Sequence, residues 1–476
     1  MTQAESATTV APRLTRDRLV AAGRTGDAPP VRIVHMGLGA FHRAHQVWYT
    51  AAAADGDAWG IAAFTGRSPR TADELRPQGG VYTLIERGAH GDTAGILTNL
   101  VEAADGSDVR RFVELIASPA TVIVTLTITE AGYRLTHDAE PDLRDPVVAH
   151  DVELLRRIAS APDSDDGPDG EAPTSALARL LLGLAARRAA GAGPIALVCC
   201  DNLPDNRAML RSGMTALATL IDDDLAAWIG ETVSFVATSV DRITPGTTEA
   251  DLAVATELTG FADAAPVVTE PFHDWILCGA FPAGRPQWET AGARFVDDIE
   301  PFERRKLWLL NAAHSYLAYA GPLVGHQTVA EAIADPALRE GVERLWDEAA
   351  AHLPAALLDL DAYRAALLDR FGNARIEHRL AQIAMEGVTK LRVRIAPVAL
   401  AERAAGREAR GCAAVIAAWI TATLRDVGVD AHADTLREIV GSGGDDQIER
   451  LIGVVDARLA ADGAFVDLVR DEVDGS

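Results

Sequence analysis

The feature that most constrains the fold is a β-branched run, VRIVH (31–35), followed by a glycine-rich turn and the helical pattern AFHRAHQVWYTAAAA. A strand, a glycine turn and a helix in succession are typical of proteins built on a parallel sheet. Further strand-like runs alternate with helical patterns such as DVRRFVELIA; they are WGIAAFT (59–65), TVIVTLTIT (121–129), IALVCC (195–200) and VSFVAT (233–238). This alternation predicts an α/β fold, a doubly wound parallel sheet with helices on both faces.

The strand signal fades after about residue 290, and amphipathic helical segments continue to the end of the chain. At 476 residues the chain is too long for one compact core. We therefore predict two domains, an α/β domain over residues 30–290 and a mostly helical domain over residues 291–476. The acidic segment APDSDDGPDGEAPTS (161–175) carries no large apolar residue and is predicted to be an exposed loop.

Charge and cysteine content exclude several classes of partner. The formal net charge of −25 argues against nucleic acid or an anionic membrane surface. The four cysteines form no C-x-x-C pair, so neither a disulfide framework nor a zinc ribbon is expected. The N-terminus lacks the apolar region of a signal peptide, and no run approaches the ~18 apolar residues of a membrane helix. We therefore expect a soluble protein of the reducing cytoplasm.

The turn GLGAFHRAH (37–45) contains two of the three glycines of the fingerprint G-x-G-x-x-G. Gly37 would permit the tight turn, and Gly39 would let backbone N–H groups approach a pyrophosphate. His42 occupies the third position, where glycine normally allows close helix–strand packing, so we expect a wider gap or a separate role there. On these residues alone, dinucleotide binding and an ordinary strand-to-helix turn both stay open.

The end of the second strand bears on the choice between NAD and NADP. NAD-binding proteins commonly place an acidic residue there to bind the adenosine ribose. This chain instead has Arg67, Ser68 and Arg70, and its first acidic residues are Asp73 and Glu74. Guanidinium and hydroxyl groups suit a 2′-phosphate, so we predict that NADP is accepted, with preference for NADP as a hypothesis. A plain surface loop explains the same residues.

The segment KLWLLNAAH (306–314) is a candidate for catalytic chemistry. In an α-helix of about 100° per residue, Lys306, Asn311 and His314 would lie at about 0°, 140° and 80°, on one polar arc of an otherwise apolar segment. Buried polar groups need partners, which are each other, the backbone or a ligand. A hydrogen-bonded trio or a solvated stripe would produce the same pattern.

Lysine occurs only at positions 306 and 390 among the 44 basic residues, and arginine fills every other basic position. Arginine keeps its proton in proteins, whereas lysine loses it readily once it is desolvated or placed beside other cations such as Arg304 and Arg305. A lysine retained at position 306 is therefore what general-base catalysis would require.

Polar residues also follow several of the predicted strands. In an open α/β sheet, ligands bind beyond the carboxyl ends of the strands. Turns favour the same residue types, so each group alone has two explanations, but their recurrence favours a site. These residues are Thr127, Thr129, Glu130, Asp201, Asn202, Asp241 and Arg242.

Taken together, the motifs resemble the mannitol dehydrogenase family, the polyol-specific long-chain dehydrogenases. The resemblance extends from about residue 30 to about residue 425. It rests on GLGAFHRAHQ, LTITEAGY, CDNLPDN, VDRITP, TEPFHDW, GRPQW and K-x-x-x-x-N-x-x-H. The resemblance implies a Rossmann-type dinucleotide-binding domain, a largely helical substrate-binding domain, an active site in the cleft between them and no metal requirement.

The resemblance also implies roles for individual residues. Lys306 matches the general base, and Asn202 and Asn311 match the two donors that stabilise the alkoxide. His314, which we also count among the catalytic candidates, and Asp241 match positions that bind substrate hydroxyls. The implied reaction is reversible hydride transfer between a secondary alcohol of an open-chain polyol and the corresponding ketose.

The implied cofactor is NAD or NADP. Glu303, one helical turn before the candidate base, matches a glutamate linked to proton exit. The candidate cofactor-binding residues are Gly37, Gly39, Phe41, Arg43, Arg67, Thr127 and Glu130.

The segment AMEGVTKLRVR (384–394) bears on the substrate. Relatives that act on fructuronate usually have a lysine at the position of Lys390 and an arginine at that of Arg394, as this chain does. The chain lacks the serine usual after Gly387 and has Arg392 where proline is common, so polyol and uronate both stay open as substrates. Lys390, Arg392 and Arg394 would meet a substrate carboxylate, which favours a uronate, or orient a neutral polyol, and we count Lys390 and Arg394 as candidate substrate-binding residues. A basic surface strip is the less favoured explanation of the two arginines.

Three other classes of protein fit less well. A zinc alcohol dehydrogenase would need a ligand set that the few cysteines and scattered histidines do not supply. A short-chain dehydrogenase would need Tyr-x-x-x-Lys, and neither lysine has that spacing. A non-catalytic protein that senses sugar or NAD(P) remains as an alternative.

Overall fold

The computed structural model describes residues 11–160 and 171–475. The chain forms two compact units that divide between Ile299 and Glu300. Residues 161–170 of the predicted acidic loop lie outside the described residues. Within the described ranges, no helix is both long and apolar enough to cross a membrane.

Unit 1 contains the strands of two sheets. An eight-stranded sheet has the order β11-β10-β8-β7-β6-β1-β2-β5, and a three-stranded sheet has the order β4-β3-β9. The strands are β1 Val31–Met36, β2 Gly60–Phe64, β3 Tyr82–Gly88, β4 Gly91–Leu97, β5 Leu100–Ala104, β6 Ile123–Leu126, β7 Ile195–Cys199, β8 Val233–Asp241, β9 Val267–Thr269, β10 Asp274–Cys278 and β11 Arg294–Phe295.

Six strands of the large sheet, β5, β2, β1, β6, β7 and β8, are parallel. Counted along the chain, they run in the order third, second, first, fourth, fifth, sixth, which is the order of dinucleotide-binding sheets. The order reverses between β1 and β6. Ligands of such sheets bind beyond the carboxyl ends of the strands at this point.

Helices cover both faces of the large sheet. Neighbouring residues of β1 point into different cores, Ile33 into one and Val34 into the other, as a sheet buried on both faces requires. The predicted fold class is confirmed. The helices of unit 1 are α1 Arg16–Ala21, α2 Ala40–Ala44, α3 Gln46–Ala52, α4 Arg70–Leu75, α5 Val109–Ala117, α6 Glu130–Tyr133, α7 Pro146–Ser160, α8 Ala176–Ala190, α9 Asn206–Thr219, α10 Asp223–Thr232 and α11 Glu249–Thr259.

Three details of unit 1 differ from the sequence prediction. The helix expected after the glycine turn is interrupted at His45, which has non-helical backbone angles and separates α2 from α3. The strand expected over residues 121–129 ends at Leu126; the backbone N–H of Thr127 still donates to Met36 O, and Thr129 has a positive φ that interrupts the extended conformation. The three-stranded sheet was not predicted, since the alternation in β4 is between small and polar residues with few large apolar ones.

The described residues of unit 2 form helices joined by turns and irregular connections, with one isolated β-bridge between Thr328 and Arg379, as the fading strand signal predicts. Its helices surround a long, buried α13. They are α12 Glu300–Arg305, a π-helical segment Lys306–Asn311, α13 Ala312–Leu323, α14 Val329–Ala334, α15 Pro336–Ala350, α16 Ala355–Leu358, α17 Leu360–Phe371, α18 Leu380–Ala384, α19 Gly387–Arg394, α20 Ala396–Ala404, α21 Arg410–Arg425, α22 Ala433–Ser442, α23 Gln447–Val455, α24 Ala457–Ala460 and α25 Gly463–Asp474.

One buried arginine stabilises the loops at the amino ends of β6 and β7, whereas the glycine turn lies at the carboxyl end of β1. Arg187, in the last turn of α8, is buried, and burial lowers its pKa to about 10. Its guanidinium donates hydrogen bonds to the carbonyl oxygens of the loops that precede β6 and β7. The acceptors are Ile116, Ser118, Thr121, Ala192, Gly193 and Pro194, at 2.8–3.1 Å.

Replacing Arg187 with Met is expected to lower the free energy of unfolding of unit 1 by about 3 kcal/mol or more, because six buried or partly buried carbonyls lose a charged donor. The neighbouring Arg188 forms a surface ion pair with Asp222 at 3.1 Å. Arg188→Met is the matched control and should cost less than about 1 kcal/mol. Urea unfolding of the two variants makes the comparison, and equal losses would contradict the assignment.

Candidate active site

The glycine turn follows β1 directly at the reversal of strand order. Gly37 has φ 110°, and a Cβ there would lie 2.0 Å from Thr127 O, so only glycine fits. A Cβ at Gly39 would meet nothing closer than Gly37 O at 3.6 Å, an ordinary contact. The packing of the chain therefore requires glycine at position 37, whereas glycine at position 39 leaves open space beside the turn, which suits close approach of a ligand.

His42 packs in the place where the fingerprint has its third glycine. Its ring stacks on that of His35, with centroids 3.3 Å apart and planes 6° from parallel. Its Nδ1 lies 3.2 Å from Gln46 Oε1. Burial lowers the pKa of His35 to about 3 and holds the pKa of His42 well below its ordinary value, so both rings are neutral near pH 7. The stack fills the space between strand and helix that a third glycine would close.

Thr127 joins the end of β6 to the glycine turn. Its hydroxyl donates to Gly37 O at 3.0 Å and lies 3.0 Å from His35 Nε2. Two residues later, Thr129 has φ 67° and ψ 156°, a conformation that non-glycine residues rarely adopt and that concentrates at functional sites. Glu130 is exposed and begins α6.

A buried carboxylate connects the ends of β6 and β7. Asp201 Oδ1 accepts the backbone N–H of Thr129 at 2.8 Å, and Asp201 Oδ2 accepts the hydroxyl of Tyr133 at 2.6 Å. Burial raises the pKa of Asp201. The candidate donor Asn202 follows immediately and is exposed on unit 1. Its backbone is thus anchored through its neighbour, while its side chain faces outwards from the core.

Three other predicted residues of unit 1 occupy different settings. Arg43 is buried, and its guanidinium donates to Ala265 O at 2.6 Å and Gly39 O at 3.2 Å. The observed role of Arg43 is therefore to support the turn, and contact with a cofactor stays a prediction. Phe41 is half-buried, with its ring stacked on His45. Asp241 ends β8, opposite Asp274 of β10.

The loop after β2 contains the residues predicted to meet a 2′-phosphate. Arg67 is exposed there. Arg70 pairs with Glu74 at 2.8 Å, and Ser68 Oγ accepts the backbone N–H of Arg70 at 3.3 Å. Of the two arginines, Arg67 is the one whose described surroundings include no carboxylate partner.

In unit 2, the segment KLWLLN is π-helical and the predicted α-helical spacing is wrong there. The backbone N–H of Ala312 donates to Leu307 O, five residues earlier. A π-helix joins residue i to residue i+5, so Lys306 and Asn311, which an α-helix would separate by about 140°, become neighbours along one side. Single π-helical turns inside α-helices occur frequently at functional sites.

His314, in the first turn of α13, is buried between two rings. Its centroid lies 4.9 Å from that of Phe371 and 4.9 Å from that of His378. Its Nε2 is buried without a hydrogen-bond partner among the described residues of the chain. A buried polar atom of this kind normally has a partner, so Nε2 is available to a ligand hydroxyl.

Positive groups surround His314. Burial lowers its pKa well below the ordinary value, and the nearby charges of His378 and Arg370 lower it further. Arg394 and Lys306 act in the same direction. His314 is therefore a neutral hydrogen-bonding group near pH 7, in a cationic setting that favours an electron-rich or anionic ligand.

The three basic side chains of α19 have different partners and do not form one cluster. Arg394 Nη1 donates to Asn311 O at 3.1 Å and Ser315 Oγ at 3.0 Å, beside the candidate base. Burial lowers the pKa of Arg394 to about 10, and its Nε has no partner among the described residues. Arg392 is exposed and donates to Val454 O at 2.7 Å, away from this cluster.

Lys390 is half-buried against the end of α18. Its Nζ donates to Ile383 O at 2.9 Å and Met385 O at 2.5 Å. Burial lowers the pKa of Lys390, and the charge of Arg394 adds to the effect. Two of its three protons are thus used by the protein itself, so a substrate contact at this residue stays a prediction.

The residues before the candidate base have partners of their own. Arg304 is ion-paired with Glu300, and the guanidinium of Arg305 lies 4.0 Å from the centroid of the Tyr363 ring. Glu303 is half-buried on α12. The ion pair weakens the expectation that Arg304 adds positive charge at the base, whereas the ring contact leaves the charge of Arg305 in place.

Sequence reasoning missed three of the residues that surround His314. Arg370, Phe371 and His378 come from the end of α17 and the loop after it, far from KLWLLNAAH in the chain, and no spacing rule connects them. Across residues 11–160 and 171–475, no group of three or more His, Cys, Asp or Glu side chains is arranged to hold a metal ion.

Comparison with known proteins gives the family. The mannitol dehydrogenase Rossmann domain matches residues 31–290, and the mannitol dehydrogenase C-terminal domain matches residues 298–471. D-mannonate oxidoreductase of Escherichia coli (strain K12) is 35% identical over 419 residues, 85% of this chain and 82% of that protein. Mannitol 2-dehydrogenase of Aspergillus fumigatus (strain CBS 144.89 / FGSC A1163 / CEA10) is 34% identical over 448 residues, 90% of this chain and 86% of that protein.

A solved structure is also similar over nearly its whole length. Mannitol 2-dehydrogenase of Pseudomonas fluorescens, in ternary complex with NAD and D-mannitol, has a TM-score of 0.77 to this chain. The sequences are 31% identical, and the match covers 97% of this chain and 96% of that one. The chain therefore belongs to the mannitol dehydrogenase family of oxidoreductases, as its motifs predict.

Proposed function

We propose that this chain is an NAD(P)-dependent dehydrogenase that interconverts a secondary alcohol of an open-chain polyol and the corresponding ketose. The observation that carries the proposal is the buried, unpartnered Nε2 of His314 in a group that includes Lys306 and Arg394. The unpartnered nitrogen of a neutral imidazole can hydrogen-bond a hydroxyl group, which suits a polyol. Family membership and the glycine turn support a dinucleotide as the second ligand.

The chemistry assigns each candidate a task. In the oxidation direction the Lys306 amine removes the hydroxyl proton while hydride leaves the same carbon. The side-chain amides of Asn202 and Asn311 donate hydrogen bonds to the developing alkoxide without ionising. His314 and Asp241 hold neighbouring hydroxyls, and Glu303 passes the proton towards solvent. When bound, the nicotinamide supplies the hydride acceptor at C4.

The residues present fit a dinucleotide. Space beside Gly39 would admit the pyrophosphate, Phe41 follows the turn in sequence, and the hydroxyl of Thr127 contacts it. The P. fluorescens relative was solved with NAD. Arg67 supports acceptance of NADP as well, because an exposed guanidinium can pair with a 2′-phosphate.

A sugar acid is a second candidate substrate. Burial lowers the pKa of His314 most, and the charges of Arg370, Arg394 and Lys306 lower it further, so the surroundings of this ring are positive and favour a carboxylate. A D-mannonate oxidoreductase is among the relatives that cover most of this chain. On this alternative the reaction interconverts D-mannonate and D-fructuronate.

One initial-rate panel tests the proposal. NADH and NADPH oxidation is followed with fructose, fructuronate, tagaturonate, xylulose and fructose 6-phosphate at one pH. The proposal expects turnover with a free ketose, and strong preference for a uronate would select the second candidate. Catalytic efficiency at least about tenfold higher with NADH would reject the NADP preference. Dinucleotide binding without turnover on any substrate would instead favour a sensing protein.

A further inference from the structure

The π-helical segment Lys306–Asn311 is held by side chains of other helices. In a regular α-helix each carbonyl accepts the N–H four residues later. Here Trp346, on α15, donates its indole N–H to Leu309 O at 2.9 Å, and both residues are buried. A side-chain donor that inserts between the backbone hydrogen bonds of a helix is a recognised cause of local helix distortion.

We propose that Trp346 is a positioning residue whose indole N–H holds this segment in its π-helical form and thereby sets the directions of Lys306 and Asn311. The inference rests on the proposed function, in which those two side chains act on the substrate. A π-helical turn contains one residue more than an α-helical turn, and one residue corresponds to about 100° of rotation. Reversion to an α-helix would therefore turn Lys306 away from the direction in which His314 points.

The surroundings of Trp346 support this role. Its ring lies 6.3 Å from that of Phe371, and Phe371 in turn packs on His314 at 4.9 Å. The same indole thus contacts the π-helical segment directly through a hydrogen bond, and the ring of Phe371 lies between it and His314. Arg394 makes the corresponding bond to Asn311 O, but it is a candidate substrate contact and is less suitable for a test.

The test compares Trp346→Phe with a control on the same helix. Trp346→Phe keeps an aromatic ring but removes the donor to Leu309 O. Leu345 is fully buried, and its backbone packs against Gly411 of α21. Leu345→Ala removes a fully buried side chain at the neighbouring position and leaves the donor to Leu309 O in place. The comparison is made well below the melting temperature of both variants.

The expected result is a fall in kcat of about 100-fold for Trp346→Phe, with KM for the dinucleotide within about twofold of the wild type. Leu345→Ala should retain most of its kcat. Crystal structures should show residues 306–311 α-helical in Trp346→Phe and π-helical in the control. Unchanged kcat in Trp346→Phe, or an equal fall in both variants, would overturn the proposal.

The structural result separates this proposal from the proposed function. If the wild type turns over no sugar or polyol, the proposed function fails. The π-helical form retained in Trp346→Phe would then overturn the positioning role, and its loss would support the role of Trp346 in shaping the segment.

Discussion

Lys306→Ala is expected to abolish polyol oxidation between about pH 6 and about pH 10, because general-base assistance contributes ~10²–10⁴-fold and no arginine can replace it. Dinucleotide affinity, measured by fluorescence titration, should be unchanged. Lys306→Arg should be equally inactive although it keeps a positive charge. Activity retained in either variant, or a loss of folding in both, would contradict the role of the base.

Lys390→Arg is the matched control for this substitution. Lys390 is the second of only two lysines and donates to two backbone carbonyls, which a guanidinium can also serve. We expect this variant to retain dehydrogenase activity on a neutral ketose. The pH profile adds a further check: since burial holds the pKa of His314 well below its ordinary value, titration of this imidazole should produce no rate limb near neutrality in the wild type or in Lys390→Arg.

Asn311→Ala is expected to lower kcat by ~10²–10³-fold, the typical effect of removing one donor to a developing oxyanion. The carbonyl of Asn311, which accepts from Arg394, is retained in this variant, so the local backbone should persist. Rapid-reaction measurement of the hydride-transfer step should show the loss directly, with little change in KM for the polyol.

Asn99→Ala is a useful comparison. Asn99 is buried and lies directly before β5. Its side-chain amide donates to Gly56 O and Trp59 O, at the amino ends of the strands and away from the glycine turn. Its truncation should lower stability and leave kcat largely intact. An Asn311→Ala enzyme with wild-type kcat, or equal kcat losses in the two variants, would refute the donor assignment.

Local patterns predicted the large sheet because its strands are continuous apolar runs bounded by turns. The glycine turn was equally predictable from the sequence. A side chain at position 37 would collide with Thr127 O, so this position requires glycine. The role of His42 could not be predicted from the sequence, because it depends on a stack with His35 across the strand–helix interface. Local sequence patterns do not indicate which two rings will stack in the folded protein.

The π-helical segment shows the same limit in unit 2. Its sequence has a good α-helical pattern, and nothing within it signals the extra residue per turn. The donors that act on its carbonyls, Trp346 and Arg394, come from α15 and α19. The identity of the candidate base was predictable from composition, but its direction depends on contacts made far along the chain.

The most direct measurement follows the hydride itself. With NADH deuterated at the transferable C4 position, or NADPH if that is preferred, the account predicts that a ketose substrate is reduced to a polyol carrying deuterium on the former carbonyl carbon. Mass spectrometry and proton NMR of the product detect the label and its position. Product without deuterium at that carbon, or no product from any ketose or keto acid of the panel, would contradict the account.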